Sequence, residues 1–83
     1  MKEYMVQMKL RSGNWYRGRR PNGSPVRRTQ KSIEEAQEFM DSCIKAWNTY
    51  IEKCNGIGIR LVEEHLPAEW RIMSREVSEW RAE

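Results

Sequence analysis

Several features that would assign a small protein to a class are missing from this chain of 83 residues. It has no continuous apolar stretch close to the ~20 residues that a membrane span requires. Its first ten residues alternate polar and apolar side chains, whereas a signal peptide has an unbroken apolar core. A chain that is not exported stays in a reducing compartment. We therefore expect a cytoplasmic protein without a membrane association.

Residues that carry chemistry are also scarce. There is one histidine, His65, and the two cysteines are Cys43 and Cys54. No spacing of cysteine, histidine and carboxylate matches a structural zinc site, and no glycine pattern matches a Walker or dinucleotide-binding loop. On one helix the two cysteines would lie ~16 Å apart, too far for a disulfide bond, so we expect buried thiols. These absences predict a binding protein with no metal, no cofactor and no enzymatic activity.

Alternating apolar residues predict that the chain starts with a β-hairpin. Every second residue of the first strand is apolar, which is typical of a strand with one buried face: Tyr4, Val6, Met8 and Leu10. Residues 11–14 contain turn formers, and residues 15–19 are compatible with the second strand. A turn rich in proline and glycine follows at 21–25. Residues 26–29 are compatible with a third strand.

A long amphipathic helix is predicted over residues 32–54. Ser32 and Glu35 fit a capping box, in which the serine hydroxyl accepts the Glu35 amide and the glutamate carboxylate reaches back. Apolar residues then recur at helical spacing on one stripe: Ile33, Ala36, Met40, Cys43, Ile44, Trp47, Ile51 and Cys54. Asn55 and Gly56 predict the end of the helix. We expect the stripe to pack against the apolar face of the first strand.

The C-terminal segment, residues 57–80, permits two interpretations. Residues 59–62 are compatible with the beginning of a strand. Between Trp70 and Trp80, strict alternation fits a strand, whereas the spacing of Trp70, Met73, Val77 and Trp80 fits a helix. We favour the strand, because a small sheet gains stability from an additional strand.

Together these elements predict an α+β fold in a single domain covering residues 1–83. A basic antiparallel β-hairpin or three-stranded meander, residues 4–29, packs on one long helix, and a C-terminal strand completes the sheet.

Charge is distributed very unevenly along the chain. Residues 1–33 contain nine Lys or Arg and one acid, whereas residues 34–83 contain six basic and eleven acidic residues. Arginine suits bidentate recognition of phosphates and base edges, and aromatic rings stack on exposed bases. The candidate nucleic-acid-binding residues are Lys9, Arg11, Trp15, Arg17, Arg19, Arg20, Arg27 and Arg28. Two alternatives are a solvated basic face with Trp15 in the core, and a basic patch that meets an acidic protein.

Part of the chain resembles a known family of DNA-binding domains. The segments that carry the resemblance are Tyr4–Met8, Ser12–Tyr16, Pro25–Thr29 and Ser32–Met40. They resemble the arm-site domain at the N-terminus of some phage and transposon integrases, in which three antiparallel strands and a helix place a sheet in the DNA major groove. The resemblance covers less than half of the chain. It implies that the residues contacting bases or phosphates are Gln7, Lys9, Arg17, Arg19 and Arg27.

The whole chain, which ends in the segment 70–77 and a short tail, also resembles short uncharacterised phage and prophage proteins of strand–strand–helix–strand type. This resemblance implies a bacterial host cell. We therefore expect a phage-derived nucleic-acid-binding accessory protein, a monomer or homodimer, for which DNA is a more suitable partner than RNA. The alternative is a phage-encoded inhibitor of a host protein, of the anti-CRISPR or another anti-defence type, that acts by protein–protein binding.

Overall fold

The computed structural model describes residues 2–23, 29–76 and 80–83, which form one long helix and a four-stranded antiparallel sheet. The elements are β1 Glu3–Leu10, β2 Trp15–Arg17, α1 Ile33–Gly56, a 3-10 turn at Glu63–His65, β3 Pro67–Arg75 and β4 Arg81–Ala82. The strand order is β2-β1-β3-β4, so the first strand pairs with both the second and the third. The predicted α+β class is confirmed.

The β1–β2 hairpin forms where the alternating pattern predicts it, but β2 is shorter than expected. Gly13 adopts a φ of 103° in the turn, a conformation that glycine reaches without steric cost. Just after β2, Gly18 approaches β1 so closely that a Cβ atom would lie 2.8 Å from Cγ1 of Val6. The Gly18 N–H donates to the Val6 carbonyl at 2.8 Å, which keeps the two backbones together.

The third strand predicted at residues 26–29 falls almost entirely outside the described residues. Beside it, Gln30 forms a bridge with Tyr4, in which the backbones exchange hydrogen bonds of 2.9 and 2.7 Å. This bridge occupies the same edge of β1 as β2 does. The chain between the hairpin and the helix therefore returns to β1 before α1 begins.

The N-terminal cap of α1 forms largely as predicted. The Ser32 Oγ accepts a hydrogen bond from the Glu35 amide at 3.1 Å, and the Glu35 carboxylate accepts one from the amide of Lys31 at 3.1 Å. The carboxylate therefore reaches one residue before the cap residue. Both bonds occupy backbone N–H groups around the helix start, including donors that have no partner within the helix.

The helix ends two residues later than predicted. Gly58, with a φ of 77°, is the residue that reverses the chain. The Gly58 N–H donates to Asn55 O at 3.2 Å and the Ile59 N–H donates to Cys54 O at 2.9 Å. These two bonds define a Schellman motif, in which a residue with positive φ directly follows the cap residue. Gly56 does not adopt a positive φ, so the helix continues through it.

The strand interpretation of the C-terminal segment is correct for Pro67–Arg75, which pairs along the whole length of β1. The expectation that residues 59–62 begin a strand is wrong. Both edges of β1 are occupied by β2 and β3, so this segment does not pair with β1. It remains irregular and its apolar side chains are exposed, with Ile59 at 50% and Val62 at 58% of their full accessible surface.

The core lies between α1 and the face of the sheet that includes Val6 and Met8. It consists of two clusters of buried residues: Met8, Leu10, Trp47 and Leu66 in one, and Val6, Ala36 and Ile72 in the other. Trp70 packs against both. The predicted contact of the helical stripe with β1 is therefore confirmed at Ala36, Met40, Trp47 and Ile51, whereas Ile33 is 40% exposed.

Candidate nucleic-acid interface

The face of the sheet opposite α1 carries charged and aromatic side chains. Side chains alternate along a strand, so the residues of β1 that alternate with Tyr4, Val6, Met8 and Leu10 point to this side. Cross-strand pairing adds residues of β2 and β3 to the same face. We call this surface the open sheet face; it comprises Glu3, Met5, Gln7, Lys9, Trp15, Arg17, Glu69, Arg71, Met73 and Arg75.

A first cluster on the open sheet face is built around Trp15. The guanidinium carbon of Arg71 lies 3.9 Å from the centroid of the indole ring, and the Lys9 ammonium lies 5.9 Å from it. The Arg71 Nε donates to Oε1 of Gln7 at 2.8 Å. Stacking and this hydrogen bond together hold the guanidinium plane over the ring. In the described part of the chain, no acceptor engages the two Nη groups of Arg71.

A second cluster repeats this arrangement farther along β3. The guanidinium carbon of Arg75 lies 4.6 Å from the centroid of the Trp80 ring, and its Nε donates to Oε2 of Glu3 at 2.9 Å. In both clusters an arginine of β3 stacks on a tryptophan and is bound through Nε to a side chain of β1. Arg71 and Arg75 are four residues apart, which is ~13 Å along a strand. The Arg75–Glu3 ion pair is partly exposed and therefore weak.

Between the two clusters lies a small apolar floor. Met5 and Met73 are paired across β1 and β3 and are only 7% and 8% exposed, although α1 packs on the other face. Long arginine and tryptophan side chains cover neighbouring apolar surface with their nonpolar parts. The floor therefore lies on the open sheet face between the two stacked pairs, and its low exposure shows that neighbouring side chains cover it.

The structure brings together three of the eight candidate nucleic-acid-binding residues, and Gln7, which the resemblance implies, lies on the same face. Lys9, Trp15 and Arg17 all lie on the open sheet face. Arg11 is separated from them in the hairpin turn, where its guanidinium lies 3.6 Å from the carboxylate of Glu63. Because Trp15 lies on the open sheet face, it is not part of the core between the sheet and α1.

Arg19 and Arg20 lie toward α1, away from the open sheet face. The Arg20 Nη2 donates to Oγ of Ser42 at 3.1 Å, and its guanidinium lies 5.9 Å from the Phe39 ring. The carbonyl of Arg19 accepts a hydrogen bond from the Trp47 indole at 2.8 Å. These contacts anchor the segment after β2 to the helix, so the Arg20 side chain belongs to a different surface from the open sheet face.

Sequence reasoning missed Arg71, Arg75 and Trp80 as members of the site. The signal that could have found them is the alternation in β3, whose outward positions include both arginines. The predicted residues Arg27 and Arg28 lie outside the described part of the chain.

Both cysteines are buried and free, as predicted. Burial raises the pKa of the Cys43 thiol above its ordinary value of 9.0, and the nearby positive charge of Arg20 and a hydrogen bond with Ser42 only partly oppose this effect. A thiol with a raised pKa is protonated at neutral pH and is a poor nucleophile.

Comparisons of the chain with protein-family models, curated proteins and solved structures find no match. Within residues 2–23, 29–76 and 80–83, no group of three or more His, Cys, Asp or Glu residues is placed to hold a metal ion. No helix in that part of the chain combines the length and the apolar character needed to cross a membrane.

Proposed function

We propose that the chain binds nucleic acid through the open sheet face, as an accessory protein of phage origin. The observation that carries the proposal is the repeated stacking of an arginine on a tryptophan, Arg71 on Trp15 and Arg75 on Trp80. A stacked guanidinium presents its remaining N–H donors in a fixed plane, which suits phosphate oxygens and base edges.

The side chains of Arg71 and Arg75 are held in fixed conformations, which argues against a basic face that is merely solvated. A free arginine has ~2 kcal/mol of rotamer entropy, which it loses when it binds. For Arg71 and Arg75 much of this loss has already occurred on folding, because each is held by a ring and by a side chain of β1. Side chains that are fixed before binding lose less conformational entropy when they bind. Solubility requires only exposed charge and does not depend on fixed side-chain conformations.

DNA is the first partner to test, because the resemblance to the integrase arm-site domain implies a sheet presented to the major groove. Several β-sheet proteins that bind DNA place strands in a groove of the duplex. The pair β1 and β3, with β2 beside it, carries Lys9, Arg17, Arg71 and Arg75 on one side. These four cations are the proposed phosphate contacts.

The test compares the salt dependence of binding to labelled double- and single-stranded DNA and to RNA. Four neutralised phosphates predict a slope of log K against log salt of about −3.6 for duplex DNA, from ~0.9 per phosphate. The variant Lys9→Ala/Arg17→Ala/Arg71→Ala should lose about 2.7 of this slope. The control Lys2→Ala/Lys31→Ala/Arg81→Ala removes the same charge from exposed positions outside the open sheet face.

A slope near zero for the unmodified protein, or an equal loss in both triple variants, would refute this assignment. A second variant, Arg71→Lys, keeps the charge and removes the planar group. It should bind more weakly with an unchanged slope, because the phosphate count stays the same while the stacking and the bond to Gln7 are lost.

A second candidate function is inhibition of a host protein, of the anti-CRISPR or another anti-defence type. It is favoured by exposed carboxylates on the outer side of α1, away from the core: Glu34, Glu38, Asp41 and Glu52. A row of carboxylates can imitate phosphates and occupy a basic groove of a nucleic-acid-binding protein. Co-purification from nuclease-treated host lysate separates the candidates, since only a protein partner remains bound after the nucleic acid is degraded.

A further inference from the structure

A groove runs along the flank of α1, between the helix and the segments that follow β2 and α1. It consists of two adjoining hollows with volumes of about 490 and 330 Å³. Pro21 and Tyr50 line both hollows and form the centre of the groove. Lys45 and Lys53 lie toward one end, and Val62 lies toward the other. We call this surface the flank groove.

The flank groove is apolar along its centre and exposes apolar side chains at one end. Pro21, Ala46 and Tyr50 line the first hollow, and the second is continued by Ile59 and Val62, which are 50% and 58% exposed. Ile59 and Val62 lie in the irregular segment between α1 and the 3-10 turn. Contiguous exposed apolar surface of this kind is typical of interaction sites.

The Lys and Arg residues that line the flank groove have no acidic counterpart in the described part of its lining. Arg20, Lys45 and Lys53 line the first hollow and Arg60 lines the second, whereas no Asp or Glu is among the described residues that line either one. Neither Lys45 nor Lys53 forms an ion pair with a carboxylate in the described part of the chain. The two lysines are eight residues apart on α1, which is ~12 Å along the helix axis.

We propose that the flank groove binds an acidic amphipathic segment of a partner protein. Apolar side chains of that segment would contact Pro21, Tyr50 and Val62, while its carboxylates would meet Lys45 and Lys53. Complementary charge combined with an apolar centre favours such a peptide over a phosphate backbone, because phosphates gain nothing from burying proline, alanine and valine.

This proposal is independent of nucleic-acid binding by the open sheet face. The flank groove and the open sheet face share no residue, since the first lies beside α1 and the second lies on the other side of the sheet. A chain with both surfaces would connect a nucleic acid to an acidic protein.

The test uses a fluorescently labelled synthetic peptide in which leucines recur at helical spacing between glutamates. A matched peptide carries lysine at every glutamate position. The acidic peptide should bind the full chain, and the charge reversal Lys45→Glu/Lys53→Glu should weaken binding about tenfold or more, because like charges then face each other. Val62→Ser should also weaken it. All three positions are exposed, so the fold is expected to remain intact, which circular dichroism would check.

The control Lys2→Glu/Lys31→Glu makes the same change in net charge at exposed positions outside the groove and should bind like the unmodified chain. The proposal is overturned if the lysine peptide binds as tightly, or if the groove variants retain full affinity. Displacement of the peptide by a DNA oligonucleotide would assign the flank groove to nucleic acid. A dimer that dissociates on Lys45→Glu/Lys53→Glu would assign it to a second copy of the chain.

The two proposals can fail separately. The variant Lys9→Ala/Arg17→Ala/Arg71→Ala should bind the acidic peptide normally, while the variant Lys45→Glu/Lys53→Glu should retain a salt-dependent affinity for DNA that the open sheet face provides.

Discussion

Substituting Gly18 by alanine tests the close approach of the two hairpin strands. The added Cβ would lie 2.8 Å from Cγ1 of Val6 and 3.3 Å from its carbonyl oxygen. Val6 cannot withdraw easily, because it is 3% exposed and packs with Ala36 and Ile72 in the core. The backbone at Gly18 cannot withdraw either without lengthening its 2.8 Å hydrogen bond to Val6.

Overpacking of this kind costs about 1–3 kcal/mol of the free energy of unfolding. For a domain of this size, each kcal/mol corresponds to about 4–8 °C in melting temperature. We therefore expect Gly18→Ala to lower the melting temperature by roughly 5–20 °C, measured by circular dichroism at 222 nm alongside urea unfolding.

The same substitution at Gly56 is the control, and its expected sign is opposite. Gly56 is the last residue of α1, and a Cβ there meets nothing within 4 Å. Alanine should stabilise this position by about 0.5–1 kcal/mol, because it loses less backbone entropy than glycine does in a helix.

A double-mutant cycle identifies the cause of the destabilisation. If the clash with Val6 is responsible, Gly18→Ala should cost little in a Val6→Ala background, and the interaction energy should equal most of the single-mutant loss. A stable Gly18→Ala protein, or an equal loss in the Val6→Ala background, would refute the steric argument.

Two further predictions concern the helix. Ser32→Ala should lower the free energy of unfolding by about 0.5–2 kcal/mol, since the Glu35 amide loses its cap; an unchanged urea midpoint would show that the cap contributes nothing. Stability should also fall as pH rises above about 9, because folding raises the pKa of Cys43, and the stabilisation of its protonated form is lost as pH passes through the folded pKa. The same titration of Cys43→Ala should be flatter, and equally steep curves would exclude this thiol as the cause.

Local patterns were sufficient to predict the elements whose structure depends on near neighbours. The alternation from Tyr4 to Leu10 predicts β1 because one face of that strand is buried whatever pairs with it. Ser32 predicts the start of α1 because its hydroxyl bonds an amide three residues away. The helix end could not be placed to the residue, because Gly56 and Gly58 are both suitable and only the backbone conformation shows which one adopts a positive φ.

The open sheet face depends on pairing between distant residues, which local patterns do not contain. Arg71 stacks on Trp15 only because β3 and β2 flank the same strand. The sequence groups Arg20 with Arg17 in one basic segment, yet a bond to Ser42 takes Arg20 to the helix. Charge density along the chain therefore predicted a basic surface, but it could not divide that surface between the two sides of the sheet.

The pairing of β1 with β3 also has a consequence for how the chain is made. Gln7 and its partner Arg71 are 64 residues apart, and at about 5–20 residues per second a ribosome needs roughly 3–13 s to synthesise the interval. Throughout that time one edge of β1 lacks its partner, even after β2 and then α1 have been synthesised. The newly made protein thus spends seconds with an unpaired strand edge beside Val6 and Met8. Such an edge can pair with another chain, which promotes aggregation, and it is a feature that chaperones bind.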